Sequence, residues 1–371
     1  MSRLSCKQRL IKILNDEESD RIPTFDVLHN IELIEHLAGD KVSPNNAEDL
    51  LCIAASKTLD LIRHFAPPDR LQPRLVSDSS GFIYKYDWWT AHCVERPPMK
   101  TSKDVEYYVK RDIETIYRHI EAGKVCPVAR QHVRLFDENY ETFEEVKLEF
   151  RRIIEKLNGT MMLPPEDVSA LGVAVERYDE TGWWYLWYDY PDTARAYMDA
   201  LTDYQIAFID AFADADLVPF TQISNPIGTR TGLLYSPEFI KSEVIPREQK
   251  KVDRWKQHGY YVFSFMDGYK LPVIEEFLNM GVCEIHPIEP FCGIDVSTFR
   301  HTYPEITVGQ PIDCLNFLPL ADEQQIREAV IKAIEDAGKK KIIIGSTSVI
   351  HSGIPIKNAV AMFETARSYA L

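Results

Sequence analysis

The spacing of apolar and polar residues predicts strands and helices in alternation, most clearly between residues 259 and 313. A mainly apolar run at Tyr260–Met266 ends in Asp267-Gly268, the pattern of a buried strand that meets a turn. Residues 271–280 then place apolar side chains at helical spacing. Strand, helix and strand at this spacing favour parallel pairing with right-handed crossover connections.

The same periodicity over the whole chain predicts strands at 22–28, 160–164, 216–223, 260–266, 284–290, 306–313 and 341–344. Residues 74–95 contain short aromatic and β-branched pieces, which predict a β-meander or hairpin that also holds the eighth strand. The resulting α/β fold is a (β/α)8 TIM barrel with an elaborated N-terminal section of β-meander and extra helices. A doubly wound open sheet is the alternative.

The organisation along the chain favours one barrel domain over 1–371, in which 66–159 is an insertion that covers one end. Residues Ala47–Phe65 are predicted as a helix. The charged stretches 101–122 and 139–158 are predicted as helices on the outer surface. No Gly-, Ser- or Pro-rich linker divides the sequence.

Composition is that of an ordinary globular protein, with 45% hydrophobic and 27% charged residues among 371. The formal net charge of −15 disfavours non-specific binding to nucleic acid or an anionic membrane. No apolar run is long enough for a membrane span, and the first residues lack a signal-peptide pattern, so we expect a cytoplasmic protein. The seven cysteines form no Cys-x-x-Cys pair and are expected to be reduced and mostly buried.

Two acidic residues at predicted strand ends are the main catalytic candidates. Asp267 follows a strand and precedes a glycine, where a carboxylate can move a proton, bind a cation or hold a hydroxyl. The alternative is an Asp-Gly turn that fixes its own backbone. Glu289 lies between Pro287 and Pro290 after an apolar strand, and burying a carboxylate there is costly unless it is paired or ligating.

A zinc site is a second possibility at the same strand ends. His286, Glu289 and Cys292, with Cys314 nearby, supply nitrogen, oxygen and sulfur ligands and leave one position open. His286 and Glu289 face opposite sides of a regular strand, unless Pro287 introduces a bulge. Core packing with a hydrogen-bonded histidine is the alternative.

The other strand ends supply substrate-binding candidates, which are Asp26, Gln222, Gln310 and Asp313. Asp313 can equally cap a turn. His351 belongs to a loop of small residues after the last strand, where backbone N–H groups can approach a ligand. Trp89 is one of several clustered aromatic residues that either line a substrate site or pack between a helix and its cover.

The central residues resemble the uroporphyrinogen decarboxylase superfamily. The resemblance is carried by HPIEPFCGIDV, ITVGQPID and GSTSVIHSGIPIKNAVAMFETARSYA, and by RIPTFDVLHN near the start. It covers the chain in order and is strongest over 216–371. It implies a (β/α)8 barrel with the site at the carboxyl ends of the strands. The superfamily includes tetrapyrrole decarboxylases, cobalamin-dependent methyltransferases and methyl-transfer components of O-demethylases.

The sequence differs from two groups within this superfamily at the residues that carry their chemistry. The decarboxylases carry an Arg-rich segment after the first strand that holds substrate carboxylates, whereas Phe25–Asn30 stands here and no arginine occurs between 22 and 62. The coenzyme-M methyltransferases bind zinc through His-x-Cys and a later cysteine. The corresponding stretches here, Ser264–Asp267 and Ser346–Ser348, contain neither thiol.

The resemblance therefore favours a methyltransferase component that passes a methyl group from a small methylated, for example methoxyaromatic, substrate to a corrinoid carried by a partner protein. Asp267 and Glu289, helped by His286 or His351, would protonate or coordinate the leaving oxygen through a metal such as zinc. A decarboxylase of a different carboxylate and a non-catalytic corrinoid-binding barrel are the alternatives. A homodimer is compatible with the sequence.

Overall fold

A computed structural model gives a mixed α/β fold and describes residues 4–69, 71–88, 90–129, 140–165 and 167–369. In chain order the strands are β1 (Phe25–Asp26), β2 (Leu28–His29), β3 (Leu61–Ile62), β4 (Arg74–Ser77), β5 (Ile83–Tyr86), β6 (Ala91–Glu95), β7 (Met161–Met162), β8 (Asp167–Val168), β9 (Phe220–Ser224), β10 (Tyr261–Phe265), β11 (Glu284–His286), β12 (Thr307–Gly309), β13 (Ile342–Ile343) and β14 (Ile350–His351).

The helices are α1 (Cys6–Leu14), α2 (Ile31–Ala38), α3 (Ala47–Thr58), α4 (Ser102–Ala122), α5 (Phe143–Lys156), α6 (Ala170–Asp189), α7 (Pro191–Phe212), α8 (Pro237–Phe239), α9 (Ile245–Gln257), α10 (Ile274–Asn279), α11 (Val296–Thr302), α12 (Glu323–Asp336) and α13 (Ile356–Ser368). Local sequence explains several starts. Helices α1, α4, α5 and α12 begin with capping boxes at Ser5, Thr101, Thr142 and Asp322, in which side chains satisfy the first free N–H groups.

Parallel pairing joins the strands that position the site. Strands β8 to β13 form one sheet in the order β13-β12-β11-β10-β9-β8, and β1, β3 and β7 form a second in the order β1-β3-β7. A parallel bridge between Thr24 and Ile344 links β1 to β13. All these strands therefore begin at one edge, the amino edge, and end at the other, the carboxyl edge.

The prediction that residues 74–95 hold the eighth parallel strand is wrong. Residues 74–95 form the antiparallel sheet β4-β5-β6 and contribute no strand to the parallel set. The missing strand is β3, Leu61–Ile62, which pairs with β1 and β7 and lies inside the region predicted as a helix over 47–65. A two-residue strand that follows the apolar helix α3 leaves no alternation by which to recognise it.

The antiparallel sheet of residues 74–95 is fixed to the helices by one buried arginine. Arg177 of α6 forms ion pairs with Asp112 of α4 and Asp78 beside β4. Its guanidinium also stacks over the Phe82 ring at 3.8 Å from the ring centre and donates to Tyr84. These contacts hold the sheet against α4 and α6.

The register of the parallel strands defines a face that carries the site. Rings of Phe25, Phe263 and Phe265 each lie 5.0–6.4 Å from the His286 ring, centre to centre. We call the face that carries these rings the aromatic face. Phe263 is in register with Gln222 and Glu284, and Glu284 with Thr307; because paired residues of neighbouring strands point the same way, these residues share the aromatic face.

The amino edge is closed by a network of paired charges. Arg9 of α1 binds Asp20 and Asp60, and Arg21 binds Asp60 with contacts of 2.7 and 2.9 Å. The backbone N–H of Thr24 also donates to Asp60. Burial raises the pKa of the Asp60 carboxyl, but Arg21 and Arg9 outweigh this effect and the net pKa is lowered.

Aromatic residues of α6 pack between helices. Trp183 is buried against Tyr197 of α7, and Trp184 and Trp187 contact Phe239 of α8. Of the two interpretations of this cluster, packing is therefore the one that the contacts support. Within the described residues, no helix combines the length and apolar character needed to span a bilayer.

Candidate functional site

A buried carboxyl and imidazole pair lies on the aromatic face. Glu284 Oε2 and His286 Nδ1 are 2.8 Å apart, and both side chains are fully buried. Burial raises the pKa of the Glu284 carboxyl well above its usual range. The two groups therefore form a coupled pair that retains a proton at neutral pH.

A glycine on the neighbouring strand makes room for this pair. A Cβ atom at Gly309 of β12 would overlap Glu284 Oε1 and would lie 3.1 Å from the His286 Cβ atom. The Glu284 side chain therefore occupies the volume that any other residue at 309 would fill. Gly309 lies within β12 and has no positive φ, so the space taken by the pair, and not a turn, is the local reason for a small residue.

Arg63 follows β3 and lies on the aromatic face. Its guanidinium carbon is 4.3 Å from the centre of the Phe265 ring, and the residue is 5% exposed. Its Nη2 donates a long hydrogen bond of 3.4 Å to the Ser348 carbonyl, while Nε and Nη1 are buried without a hydrogen-bond partner among the described residues. A buried cation in this state is costly unless a ligand supplies the missing acceptors.

Histidine and tryptophan side chains lie next to this arginine. His29 is buried, with its ring centre 6.5 Å from that of His64 and 5.6 Å from that of Trp88. Burial, followed by the charges of His64 and Arg63, lowers the pKa of His29 well below its usual value. His29 is therefore neutral at physiological pH and adds no positive charge to the site.

Glu289, a predicted catalytic residue, lies in the turn after β11. Its Oε2 accepts hydrogen bonds from the Gly268 N–H at 2.7 Å and from Lys270 Nζ at 3.3 Å. Lys270 also donates to the Pro287 carbonyl at 3.1 Å, and burial lowers its pKa although Glu289 opposes that effect. The loops beyond β10 and β11 therefore carry two carboxylates, those of the half-buried Asp267 and of the hydrogen-bonded Glu289.

The predicted zinc ligands are not assembled. Within the described part of the chain, no three His, Cys, Asp or Glu side chains come together as a metal ion requires. His286 binds Glu284, and Glu289 binds Lys270, so each has a partner of its own. Burial raises the pKa of Cys292 and of Cys314. The described residues therefore do not bring His286, Glu289 and Cys292 together, and their role as a ligand set stays a prediction.

Asp26 ends β1 but lies on the face opposite to Phe25, because side chains alternate along a strand. Its carboxylate accepts hydrogen bonds from the Ser346 N–H at 2.7 Å, the Ser346 hydroxyl at 2.9 Å and the Val27 N–H at 2.8 Å. Burial nevertheless raises the pKa of Asp26 to about 7. Asp26 joins the end of β1 to Ser346 after β13, and it does not share the aromatic face with Glu284.

The other predicted residues fall into two groups. Gln222 and Gln310 are buried, and each has an amide oxygen without a hydrogen-bond partner among the described residues; Gln310 Nε2 donates to the Phe25 carbonyl. Asp313 caps a turn by accepting from the N–H groups of residues 315 and 316. His351 uses both ring nitrogens on backbone groups, the Cys314 carbonyl and the Gly353 N–H. Trp89 lies outside the described residues.

Sequence reasoning missed Arg63 and Glu284. Arg63 lies within the region predicted as a helix, so its position at a strand end could not be recognised. Glu284 is an acidic residue that begins the buried strand β11, whose third residue is His286. That mismatch, a carboxyl in a buried strand two residues before a histidine, was the available signal, because residues i and i+2 of a strand share one face.

Comparison with known proteins adds a family and a fold. The family model of uroporphyrinogen decarboxylase (URO-D) matches residues 168–369, more than half of the chain. Among solved structures, a methyltransferase from Methanosarcina mazei is similar with a TM-score of 0.65 and 14% identity, over 98% of each chain. A B12-independent methionine synthase from Shewanella sp. W3-18-1 aligns over 93% of this chain and 97% of its own, with 9% identity and a TM-score of 0.48. No curated protein matches.

Proposed function

The chain belongs to the uroporphyrinogen decarboxylase family, and on that premise we propose that it is a methyltransferase. It would take a methyl group from a small methylated donor and pass it to a corrinoid carried by a partner protein. The donor would bind at the carboxyl edge, on the aromatic face. The observation that carries the proposal is the buried Glu284–His286 pair, which keeps a proton on that face.

The proposal includes a closed (β/α)8 barrel. Strand β7 pairs with β3, and β8, a few residues later, pairs with β9. Strands β7 and β8 would therefore together take the place of one barrel strand between β3 and β9. With the bridge from Thr24 to Ile344, this arrangement supports a ring of eight parallel strands whose interior is the aromatic face.

Proton supply is the chemical reason to connect the pair with methyl transfer. When the methyl carbon of an ether moves to a reduced cobalt acceptor, the carbon–oxygen bond breaks and its electron pair stays on the oxygen. The new bond uses an electron pair of the acceptor. The oxygen must then gain a proton, because an alkoxide or phenoxide is a poor leaving group. In the proposal His286 donates that proton and Glu284 replaces it through their shared hydrogen bond.

The first strand also supports methyl transfer over decarboxylation of a polycarboxylate. Residues Phe25–Asn30 contain no arginine, and His29 is held neutral. A substrate with many carboxylates would therefore lack counter-charges at this strand. We propose positioning roles for Asp267, Glu289, Gln222 and Gln310 around the donor, and none for a protein-bound metal ion.

Methylation of cob(I)alamin by methoxylated aromatic compounds, followed by absorbance, tests the proposal. His286→Gln should lower the rate about 100-fold or more, the size expected for loss of a general acid. Glu284→Gln should lower it as well, since an amide can hold the ring but cannot resupply a proton. His258→Gln, a surface histidine bound to Asp210, is the control and should keep the wild-type rate.

Equal rates for His286→Gln and the control would remove the pair from the mechanism. Wild-type protein that methylates cob(I)alamin from no ether, amine or thioether donor would contradict methyl transfer itself. The control variant also separates loss of chemistry from a general effect of changing a histidine.

Decarboxylation of a small carboxylate is the second candidate, and the buried Arg63 favours it. A guanidinium can hold a substrate carboxylate in the orientation needed for loss of carbon dioxide. Release of carbon dioxide from a panel of small aromatic acids, without any corrinoid, would favour this reaction. Methyl transfer without such release would exclude it.

A further inference from the structure

Among the buried cations of the described residues, Arg63 differs from every other. The others each have a carboxylate partner within ion-pair distance; they are Arg9, Arg177, Arg247, Lys251 and Lys270. Arg63 has none within the same part of the chain, and two of its nitrogens are buried without any acceptor. A buried charge without a partner lowers the stability of the folded protein, and a bound anion would remove that cost.

The carboxyl group of Asp26 does not take this role. Burial is the largest effect on its pKa and raises it to about 7, while the charge of Arg63 opposes that effect. Its two oxygens are occupied by Ser346 and Val27. The strand alternation also puts it on the opposite face. The anion for Arg63 must therefore come from outside the described chain.

We propose that Arg63 binds a carboxylate of the substrate, and that the substrate is a small aromatic acid. A guanidinium matches the planar geometry of a carboxylate with paired donors. The ring of Phe265 lies against Arg63, and the neutral His29, which contacts Trp88, adds aromatic surface without a second full charge. A single cation with aromatic neighbours suits an arene carboxylate better than a phosphate dianion.

The position of Arg63 also connects it with the proton source. Arg63 stacks on Phe265, and the centre of the same ring is 5.4 Å from that of His286. An aromatic acid anchored at Arg63 would therefore extend toward the Glu284–His286 pair. Its assignment as a methylated aromatic acid rests on the proposed function; binding of the carboxylate does not.

Calorimetric titration with benzoate tests the inference without any turnover. Benzoate should bind the wild-type protein, and benzamide, its neutral isostere, should bind much more weakly. Arg63→Met should weaken benzoate binding about 30-fold or more, the usual result of removing one partner of a buried charge pair. Arg63→Lys, which keeps the charge but loses the paired donors, should lie between the two.

Arg195→Met is the matched control. Arg195 is also placed over an aromatic ring, Trp187 at 5.1 Å, but is partly exposed and paired with Glu243. This variant should bind benzoate as the wild type does. The same titration is carried out with inorganic phosphate. Tighter binding of phosphate than of benzoate would overturn the carboxylate assignment.

Two results overturn the inference outright: no benzoate binding to the wild type, or equal binding by wild type and Arg63→Met. Failure of the proposed function gives a different result. Benzoate would still bind through Arg63 while no methylated donor methylates cob(I)alamin. Conversely, methyl transfer from methoxybenzoates at full rate in Arg63→Met would reject the carboxylate anchor and leave methyl transfer intact.

Discussion

The two edges of the parallel strands differ in whether their buried charges are paired. At the amino edge Arg9, Arg21, Asp20 and Asp60 satisfy one another. At the carboxyl edge Arg63 has no carboxylate partner among the described residues, and nearby glutamines have free amide oxygens. Asp60 and Arg63 are both buried, so exposure to solvent does not explain the difference. The charges at the amino edge are paired within the folded protein, whereas at the carboxyl edge we propose that a ligand supplies the partner of Arg63.

The largest test of this comparison removes the centre of the paired network. Asp60→Asn leaves the buried Arg9 and the partly buried Arg21 without their shared carboxylate, and we expect a loss of roughly 3–5 kcal/mol in the free energy of unfolding. Denaturant unfolding followed by circular dichroism measures it. Asp16→Asn is the control, because Asp16 pairs with Lys340 at an exposed surface and should cost less than about 1 kcal/mol. Similar losses for both variants would show that the buried network contributes no more to stability than an exposed ion pair.

The pH dependence of stability sharpens the comparison, since the two edges have opposite signs. The Asp60 pKa is lowered, so its contribution is present above the unfolded pKa and is lost as pH falls. The Asp26 pKa is raised to about 7, so its contribution is present at low pH and is lost as pH rises toward 7. The stability of wild type relative to Asp26→Asn should fall by up to about 1.4 kcal/mol per pH unit between pH 5 and 7. A flat difference between these two proteins would contradict the raised pKa.

The smallest expected effect concerns Arg63. Removing a buried charge that has no partner relieves a cost, so Arg63→Met should leave stability unchanged or raise it by about 1–2 kcal/mol. Denaturant midpoints at equal slope give the comparison. A loss as large as that of Asp60→Asn would mean that Arg63 is a structural residue, and the contrast between the edges would fail.

The sequence predicted the positions of most parallel strands but not the one that matters most for the site. Long apolar runs such as Tyr260–Met266 contain enough residues to reveal a strand, and β10 lies there. Strand β3 has two residues, and only tertiary pairing with β1 and β7 makes it a strand. Arg63 was hidden with it, because its place on the aromatic face depends on a strand that local pattern does not show.

The candidate site was predicted in part for the same reason. The sequence placed Gln222, Gln310 and Glu289 at strand ends. Gln310 and Glu289 do follow β12 and β11, whereas Gln222 lies in the middle of β9. The pairing of His286 with Glu284 rather than Glu289 depends on register and on the space beside Gly309. Such space is a property of two neighbouring strands, so neither strand's own sequence reveals it.

The contact between Gly309 and the Glu284 side chain has an evolutionary consequence. Because a Cβ atom there would overlap Glu284 Oε1, a side chain at 309 would displace the carboxyl group from its place beside the imidazole. Relatives that share this chemistry should inherit all three positions jointly, and a lineage that gains a side chain at 309 should already have abandoned the acid.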